Sequence, residues 1–260
     1  MVFDPIPAAR ALRQIRQDRT LVAPLPTDIA PQTEAEGAAV QAALADLVGA
    51  VNPAGFKIGA TGSRMQAYLG ITAPIAGFMQ ASDVYSGHAT LRFADFIRPG
   101  VECEVAVRLG RHLPPGPCSL EQAEAAVDTF FAAIEVVENR YGDLKALGTP
   151  TLLADQMYHC AAIIADGHDL DWRSMPIGAL RGRISLDDGT EDEGVTSDLL
   201  GHPLNGLAWL AGSAEVAAFG GLKSGQVVML GSVTPPVWLT GPASVTVSFA
   251  PLPVVTVRFD

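Results

Sequence analysis

Apolar residues recur at helical spacing in several stretches of the chain. They predict a first helix over residues 6–18, whose three arginines follow one polar stripe, typical of a solvated face or of a contact with an acidic partner subunit. Thr33 and Glu36 form a capping box, and the apolar residues after it predict a second helix from about 34 to 48. Similar spacing predicts further helices over residues 119–133, 154–167 and 202–221.

Alternation of apolar and polar residues predicts strands between these helices. It is clearest over Val101–Leu109, and a short apolar run over residues 55–59 predicts another strand. Residues 181–189 predict a strand that ends in an acidic hairpin turn. Three β-branched runs near the C-terminus are predicted to be adjacent strands of one sheet: residues 227–234, 244–251 and 254–259. Helices and strands are mixed along the chain without a repeat, a low-complexity tract or a linker, which indicates one domain with a helical N-terminal arm.

Two carboxylates share one side of the strand over Val101–Leu109. At a period of two, Glu102 and Glu104 point away from the apolar face. Because ionised carboxylates at this spacing repel each other and the strand is apolar enough to be buried, the pair needs a cation. Mg²⁺ or Mn²⁺ with a third carboxylate fits best, and an edge strand with a hydrated polar face is the alternative. The third carboxylate is Glu135 or Glu138, since the strand phase does not allow both.

A single lysine, Lys57, lies among apolar residues of the predicted strand over 55–59. If its ammonium is desolvated, its pKa falls and it can transfer protons. The alternative is a side chain that extends past the core to water. Residues 59–63 follow as a tight turn whose N–H groups could hold a carboxylate, although they match neither the P-loop nor the dinucleotide fingerprint.

Composition narrows the classes of function. The 260 residues are 48% hydrophobic and 17% charged, enough to bury a substantial core. A formal charge of −11 and a pI near 4.8 argue against nucleic-acid and anionic-membrane partners. Three cysteines without metal-type spacing indicate reduced thiols. With no evident signal peptide or membrane span, we expect a cytoplasmic protein that acts on a small molecule.

Six segments carry a family resemblance: GFKIGATGSRMQAYLG, RPGVECEVAV, IEVVENRYGD, HPLNGLAWLA, GLKSGQVVMLGSVT and VVTVRF. In their order and spacing they resemble the 2-keto-4-pentenoate hydratase and 4-oxalocrotonate decarboxylase family, within the fumarylacetoacetate hydrolase superfamily. The resemblance implies an α+β fold, a mixed β-sheet roll around a metal site with flanking helices and a helical N-terminal arm. We therefore expect an arm over residues 1–32 and a catalytic domain over residues 33–260.

The resemblance also implies the site. It places Mg²⁺ or Mn²⁺ on Glu102, Glu104 and Glu135, so that the family pattern selects Glu135 over Glu138, and it makes Lys57 the catalytic lysine. The residues that it suggests for positioning the substrate are Thr61, Ser63, Ile75, Ser232 and Thr234.

The implied activity is that of a metal-dependent hydratase, a carbon–oxygen lyase of aromatic-compound catabolism. It adds water to a short 2-hydroxy-2,4-dienoate and gives a 4-hydroxy-2-oxo acid. The substrate chelates the metal, which stabilises charge on the enolic oxygen, and Lys57 moves protons between oxygen and carbon. Decarboxylation of a 2-oxo-3-enedioate is the alternative, because both reactions share a dienolate. We also expect a homo-oligomer, with a complex with another enzyme of the pathway as a further expectation.

Two departures from the family pattern bear on the reaction. Ile75 replaces the aspartate that hydratases of the group carry, and an apolar residue there would suit the expulsion of carbon dioxide. The family pattern has serines at the end of the segment over 154–159, and this sequence does not. Their role is therefore unfilled or transferred to Tyr158 or His159. Asp155 and His159 lie four apart on a predicted helix, which is more typical of a surface pair than of a catalytic dyad. These departures allow an alternative of another class, an inactive structural subunit, although the three retained carboxylates favour an active enzyme.

Overall fold

Two β-sheets form the framework that carries the candidate side chains. The computed structural model describes residues 3–142, 147–167 and 170–260, apart from the side chain of Arg64. Its helices are α1 (Ile6–Asp18), α2 (Glu34–Leu47), α3 (Ser63–Leu69), α4 (Leu120–Ala126), α5 (Gly148–Ala154), α6 (Pro203–Ala211) and α7 (Ala214–Ala218). Its strands are β1 (Gly55–Gly59), β2 (Ile75–Met79), β3 (Val84–Ser86), β4 (His88–Leu91), β5 (Pro99–Leu109), β6 (Val127–Glu138), β7 (His159–Ile164), β8 (Arg181–Leu186), β9 (Glu191–Val195), β10 (Val227–Ser232), β11 (Val237–Trp238), β12 (Ala243–Ser248) and β13 (Val255–Phe259).

The larger sheet is mixed. Its strand order is β2-β1-β10-β5-β6-β7-β3, and β11 pairs with β5. The pairs β1/β10 and β3/β7 are parallel, whereas β5 and β6 form a long antiparallel pair at the centre. The smaller sheet has the order β4-β13-β12-β8-β9. This arrangement confirms the predicted α+β architecture with mixed sheets.

The apolar face of β5 supplies the main core. Cys103, Val105 and Val107 are fully buried there, in one cluster with Val245 and Val247 of the smaller sheet. Because alternate residues of a strand point to opposite faces, this packing leaves the other face of β5 for Glu102 and Glu104. The core therefore fixes which face carries the carboxylates.

The two N-terminal helices form where the sequence predicts them. Helix α1 spans Ile6–Asp18, and α2 spans Glu34–Leu47 with both hydrogen bonds of its capping box in place. The predicted hairpin also forms, with β8 and β9 paired in antiparallel register. In these regions local side-chain chemistry is sufficient to define the element.

Strand pairing overrides local spacing in two of the predicted helices: the first forms from its Ser119 capping box but is shorter than predicted, and the second does not form. The helix predicted over residues 119–133 ends at Ala126, and the β-branched and aromatic residues after it form β6 along the whole of β5. The helix predicted over residues 154–167 is a strand from His159 onward, paired with β6. Asp155 and His159 therefore do not lie on one face of a helix.

Two other predictions need correction. The helix predicted over residues 202–221 is interrupted at Gly212, and Ser213 caps a separate α7. The three C-terminal runs are not adjacent strands of one sheet, since β10 belongs to the larger sheet and β12 and β13 to the smaller one. β-Branched composition identifies a strand but not its sheet.

Helix α1 is anchored to the rest of the chain by a buried charge cluster. Asp155 accepts hydrogen bonds from Arg16 at 2.7 Å, from Arg140 at 3.3 Å and from the Tyr141 hydroxyl at 3.1 Å. One arginine of the predicted polar stripe thus pairs with an acid of its own chain. Leu12 of the same helix belongs to the main core, and the predicted division of the chain at residue 33 stays a prediction. No helix among the described residues is long and apolar enough to cross a membrane.

Replacing Asp155 by Asn should destabilise the fold by about 3 kcal/mol, because it leaves the buried Arg140 without its main counter-charge. Chemical denaturation at pH 7 measures this loss. Asp95→Asn is the matched control, since Asp95 pairs with Arg19 at the surface and should lose no more than about 1 kcal/mol. Equal losses in the two variants would contradict a structural role for the cluster.

A comparison of wild type with Asp155→Asn also tests how the stability of the fold depends on pH. Burial raises the pKa of Asp155, but the charges on Arg140 and Arg16 outweigh it, so the pKa lies below its usual value. A lowered pKa means that the stabilisation is complete above the unfolded-state value of about 4 and disappears as the pH falls through the folded-state value. The gap in unfolding free energy between wild type and Asp155→Asn should therefore be constant from pH 7 to about 5 and narrow below about 4.

Candidate active site

Three carboxylates converge on one face of the larger sheet. Glu102 of β5 lies directly opposite Glu135 of β6 in the antiparallel register, and Glu104 follows two residues along β5 on the same face. One carboxylate oxygen from each lies within 4.8 Å of the other two. Glu104 and Glu135 are buried and Glu102 is half-buried. The register of β5 and β6 is therefore what brings together residues 33 positions apart.

Lys57 reaches the same group from the next strands of the sheet. β1 pairs with β10, which in turn pairs with β5, and Lys57 is only 1% exposed. Its Nζ lies 3.2 Å from Glu135 Oε1 and donates to the Met157 carbonyl at 3.3 Å. The alternative of a lysine that extends to water does not hold, because the ammonium is held inside the protein.

The electrostatics of the carboxylates differ from one to the next. Burial raises the pKa of Glu102 to about 8, and the charge on Glu135 adds to the rise. Burial also raises the pKa of Glu104 well above its usual range, with further contributions from its two acidic neighbours. Burial acts on Glu135 in the same direction, but the charge on Lys57 and the hydrogen bond from His159 outweigh it, and the pKa of Glu135 is lowered.

The pKa of Lys57 does not fall as desolvation alone predicts. Burial lowers it, but the charges on Glu135, Glu102 and Glu104 together outweigh burial and raise it. The expected fall is therefore wrong, because the carboxylates act on the buried ammonium more strongly than the loss of water does. Lys57 carries its proton beside Glu135.

The donor set fits a hard divalent cation. Oxygen ligands from three carboxylates match the preference of Mg²⁺ and Mn²⁺. Glu135 Oε2 is buried and has no hydrogen-bond partner among the described residues, so one oxygen is left for a ligand. One ammonium does not balance three carboxylates, and a buried group of this kind needs a further cation or protons.

Gly231 supports this site from β10. Its N–H donates to Glu104 Oε2 at 3.1 Å, and its φ of +111° lies in the region that favours glycine. A methyl group at Gly231 would clash with Thr61 Oγ1, so the buried Thr61 lies directly beside the backbone that holds Glu104. A side chain at position 231 would displace both.

The other hydroxyl candidates have different surroundings. Ser232 is the register partner of Glu104, but its Oγ lies 3.2 Å from the Cys103 carbonyl and 2.8 Å from the Thr234 carbonyl. Thr234 is buried, and its Oγ1 has no hydrogen-bond partner in the described part of the chain. Ser63 is exposed at the start of α3. The Thr234 hydroxyl is therefore not committed to another protein group among the described residues, whereas that of Ser232 is.

Ile75 lies on the same face as the site. It pairs with Gly59, two residues after Lys57, and a methyl group at Gly59 would fall 3.3 Å from Lys57 Nζ. Ile75 is buried in an apolar cluster that contains Tyr158, with Met157 packed against it. Position 75 therefore contributes an apolar wall close to the lysine.

His159 is the site residue that the sequence pattern does not assign. Its Nδ1 lies 2.8 Å from Glu135 Oε1, and the imidazole is buried. The altered segment over 154–159 is the signal that points to it, but the choice between Tyr158 and His159 needs the structure. Glu138 lies outside the carboxylate group, since it accepts from the Ile97 N–H and lies 3.4 Å from Arg140.

The chain belongs to the fumarylacetoacetate hydrolase family. Residues 49–259 match the family described as fumarylacetoacetate (FAA) hydrolase, C-terminal. The family resemblance carried by the six sequence segments is confirmed, together with the fold that it implies.

Similar proteins are hydratases and decarboxylases. A 2-keto-4-pentenoate hydratase from Paraburkholderia phymatum is 30% identical over 230 residues, which cover 87% of this chain and 86% of the relative. A 2-hydroxyhexa-2,4-dienoate hydratase from Comamonas testosteroni is 30% identical over 184 residues, covering 70% and 68%. A 4-oxalocrotonate decarboxylase from Pseudomonas putida is 28% identical over 211 residues, covering 79% and 76%. The predicted lyase group is confirmed by these relatives.

Solved structures share the fold. A 4-oxalocrotonate decarboxylase from Pseudomonas putida G7, in complex with magnesium and adipate, matches 98% of this chain and 97% of its own with a TM-score of 0.88 and 24% identity. A fumarylpyruvate hydrolase from Pseudomonas aeruginosa, in complex with Mn²⁺ and pyruvate, matches 78% of this chain and 88% of its own with a TM-score of 0.59 and 15% identity.

A comparison of two glutamates of β6 tests the carboxylate group. Glu135→Gln should weaken Mn²⁺ binding at least tenfold, because it removes one of the three charges that face the centre. Glu138→Gln should leave the affinity within about twofold, since its carboxylate lies on Arg140 and the Ile97 N–H. Calorimetric titration with Mn²⁺ measures both variants, and equal affinities would remove Glu135 from the site.

Proposed function

We propose that this protein is a divalent-metal-dependent hydratase that adds water to a short 2-hydroxy-2,4-dienoate to give a 4-hydroxy-2-oxo acid. The observation that supports this most is the convergence of Glu102, Glu104 and Glu135 with the ammonium of Lys57 in contact with Glu135. The hydratase relatives act on dienoates or pentenoates of this size, and they supply the substrate class.

The three glutamates would hold Mg²⁺ or Mn²⁺. The cation bound there supplies the positive charge that stabilises an oxyanion of the substrate during enolisation. Glu104 is held in place by the Gly231 N–H, and Glu135 by Lys57 and His159. These contacts restrict the carboxylates before any ligand arrives.

Lys57 is proposed as the group that moves protons. An ammonium has three N–H donors, and two of them face Glu135 Oε1 and the Met157 carbonyl. The third has no partner among the described residues, so it can donate to a substrate oxygen or carbon. Thr61 is a buried hydroxyl beside Gly231, whose N–H holds Glu104, and Thr234 is a buried hydroxyl two residues beyond Ser232. With Ser63 and Ser232 they are proposed to position the substrate.

A second candidate reaction is the decarboxylation of a 2-oxo-3-enedioate. Ile75 favours it, because this apolar side chain lies where a hydratase of the group would carry an aspartate. A relative that is a 4-oxalocrotonate decarboxylase supports the same alternative. Incubation with each substrate in the presence of Mg²⁺ separates the two reactions. A hydratase removes the dienol absorbance of 2-hydroxypenta-2,4-dienoate without release of gas, whereas a decarboxylase releases carbon dioxide from 4-oxalocrotonate.

We further propose a cytoplasmic homo-oligomer, and a complex with another enzyme of the same pathway is a further expectation. Light scattering of the purified protein tests the first of these. A mass of 27.2 kDa would contradict it, since that is the mass of one chain.

Lys57→Ala should lower kcat by about 10²- to 10⁴-fold on the preferred substrate, because it removes the proton donor. Binding of Mn²⁺ should persist, since the three carboxylates remain. Lys223→Ala, at an exposed lysine, is the control and should retain activity. A Lys57→Ala enzyme with unchanged kcat would contradict the proton-transfer role.

Exchange of the C3 protons of 2-oxopentanoate in heavy water provides a test that needs neither complete reaction. It requires the cation and a base that removes a proton from C3, a step that Lys57 can perform only in its neutral form. An exchange rate no greater than that of free Mg²⁺, in a protein that binds Mg²⁺, would favour the inactive structural subunit over an enzyme.

A further inference from the structure

Glu135 uses its two carboxylate oxygens differently. Oε1 accepts from both Lys57 Nζ at 3.2 Å and His159 Nδ1 at 2.8 Å, whereas Oε2 is buried without a partner among the described residues. Two donors on one oxygen hold the plane of the carboxylate. The other oxygen is thereby left without a donor from either side chain.

The two donors are not equivalent. In the proposed function Lys57 passes protons to a substrate, so its contact with Glu135 changes during turnover. His159 is 1% exposed, and its backbone carbonyl accepts from Arg140 at 3.2 Å. The backbone of His159 is thus held at the start of β7 by a contact that does not involve the ring.

The proton on His159 Nδ1 follows from its partner. A carboxylate only accepts hydrogen bonds, so the ring nitrogen that faces Glu135 Oε1 must be the N–H. Hydrogen-bond partners of metal-binding side chains orient them, and removal of such a partner commonly weakens metal binding 10- to 100-fold.

The backbone before His159 is unusual. Gln156, Met157 and Tyr158 have φ values of 56°, 49° and 67°, a run of left-handed conformations that side-chain-bearing residues rarely adopt. This run turns the chain so that the Met157 carbonyl meets Lys57 and the ring of His159 meets Glu135. Both contacts to the lysine–glutamate pair come from this one segment.

We infer that His159 is a positioning residue that holds Glu135 with Oε2 toward the cation, independently of Lys57. The inference rests on the proposed function. It extends that function, because it assigns to His159 the role that serines of the segment over 154–159 have in the family pattern. Tyr158 is not chosen, since its hydroxyl has no partner among the described residues.

Three variants test this role. His159→Asn places an amide N–H at the position of Nδ1, His159→Gln moves the same amide outward by one carbon, and His159→Leu has no donor. Mn²⁺ affinity is measured by calorimetry, and the thermal midpoint of the metal-free protein is measured beside it. We expect affinity within about threefold of wild type for Asn and a 10- to 100-fold loss for Leu and Gln.

Each outcome separates the inference from the proposed function. Wild-type protein that binds no Mn²⁺ would overturn the proposed function and the inference with it. Wild-type binding with equal affinity in the Leu variant, or an Asn variant as weak as Gln at an unchanged thermal midpoint, would overturn the role of His159 alone. Where the Leu variant fails to fold, the comparison of Asn with Gln decides.

Discussion

Three carboxylates and one ammonium on one face of a buried sheet are the constraint on which the structure depends. Two like charges about 5 Å apart repel each other by roughly 3 kcal/mol at an effective dielectric constant of about 20. The antiparallel register that sets Glu102 opposite Glu135 leaves no room to separate them. A single Lys57 offsets one charge. The remaining excess must be met by protons, as the raised pKa of Glu102 indicates, or by a cation.

The surrounding structure holds this group from two sides. The N–H of Gly231 contacts Glu104 from β10, on one side of β5 and β6. The segment over 155–159, which leads into β7 on the other side, contacts Lys57 through the Met157 carbonyl. Non-glycine residues in the left-handed region cost about 1–3 kcal/mol each, so the run over 156–158 must be stabilised by its neighbours. Asp155, bound by Arg140 and Arg16, provides that support, and helix α1 thereby contributes to the geometry of a distant site.

The sequence predicts those parts of the site that depend on alternation, and fails where long-range pairing decides. Period-two alternation puts Glu102 and Glu104 on one face and identifies Lys57 as unusual. The choice between Glu135 and Glu138 needs either the register with β5 or the family pattern. The apolar residues from His159 onward fit a helix as well as a strand, and only the pairing with β6 decides for a strand. The sequence could not predict the contacts of Met157 with Lys57 and of His159 with Glu135, because a helix would have placed these residues elsewhere.

The apolar wall beside Lys57 bears on the order of the two candidate reactions. Ile75 packs with Tyr158 and Met157, and a second carboxylate of a dioate placed there would lose water without gaining a partner. Such a cost can promote loss of carbon dioxide, because the neutral product escapes it. The same cost weakens binding of the dioate, whereas a monoacid dienoate would place only carbon against the wall. The wall thus opposes binding of a dioate and promotes loss of its carbon dioxide once it is bound, so Ile75 favours decarboxylation in the chemical step without excluding hydration of a monoacid. Hydration is placed first because hydratases are among the relatives at 30% identity.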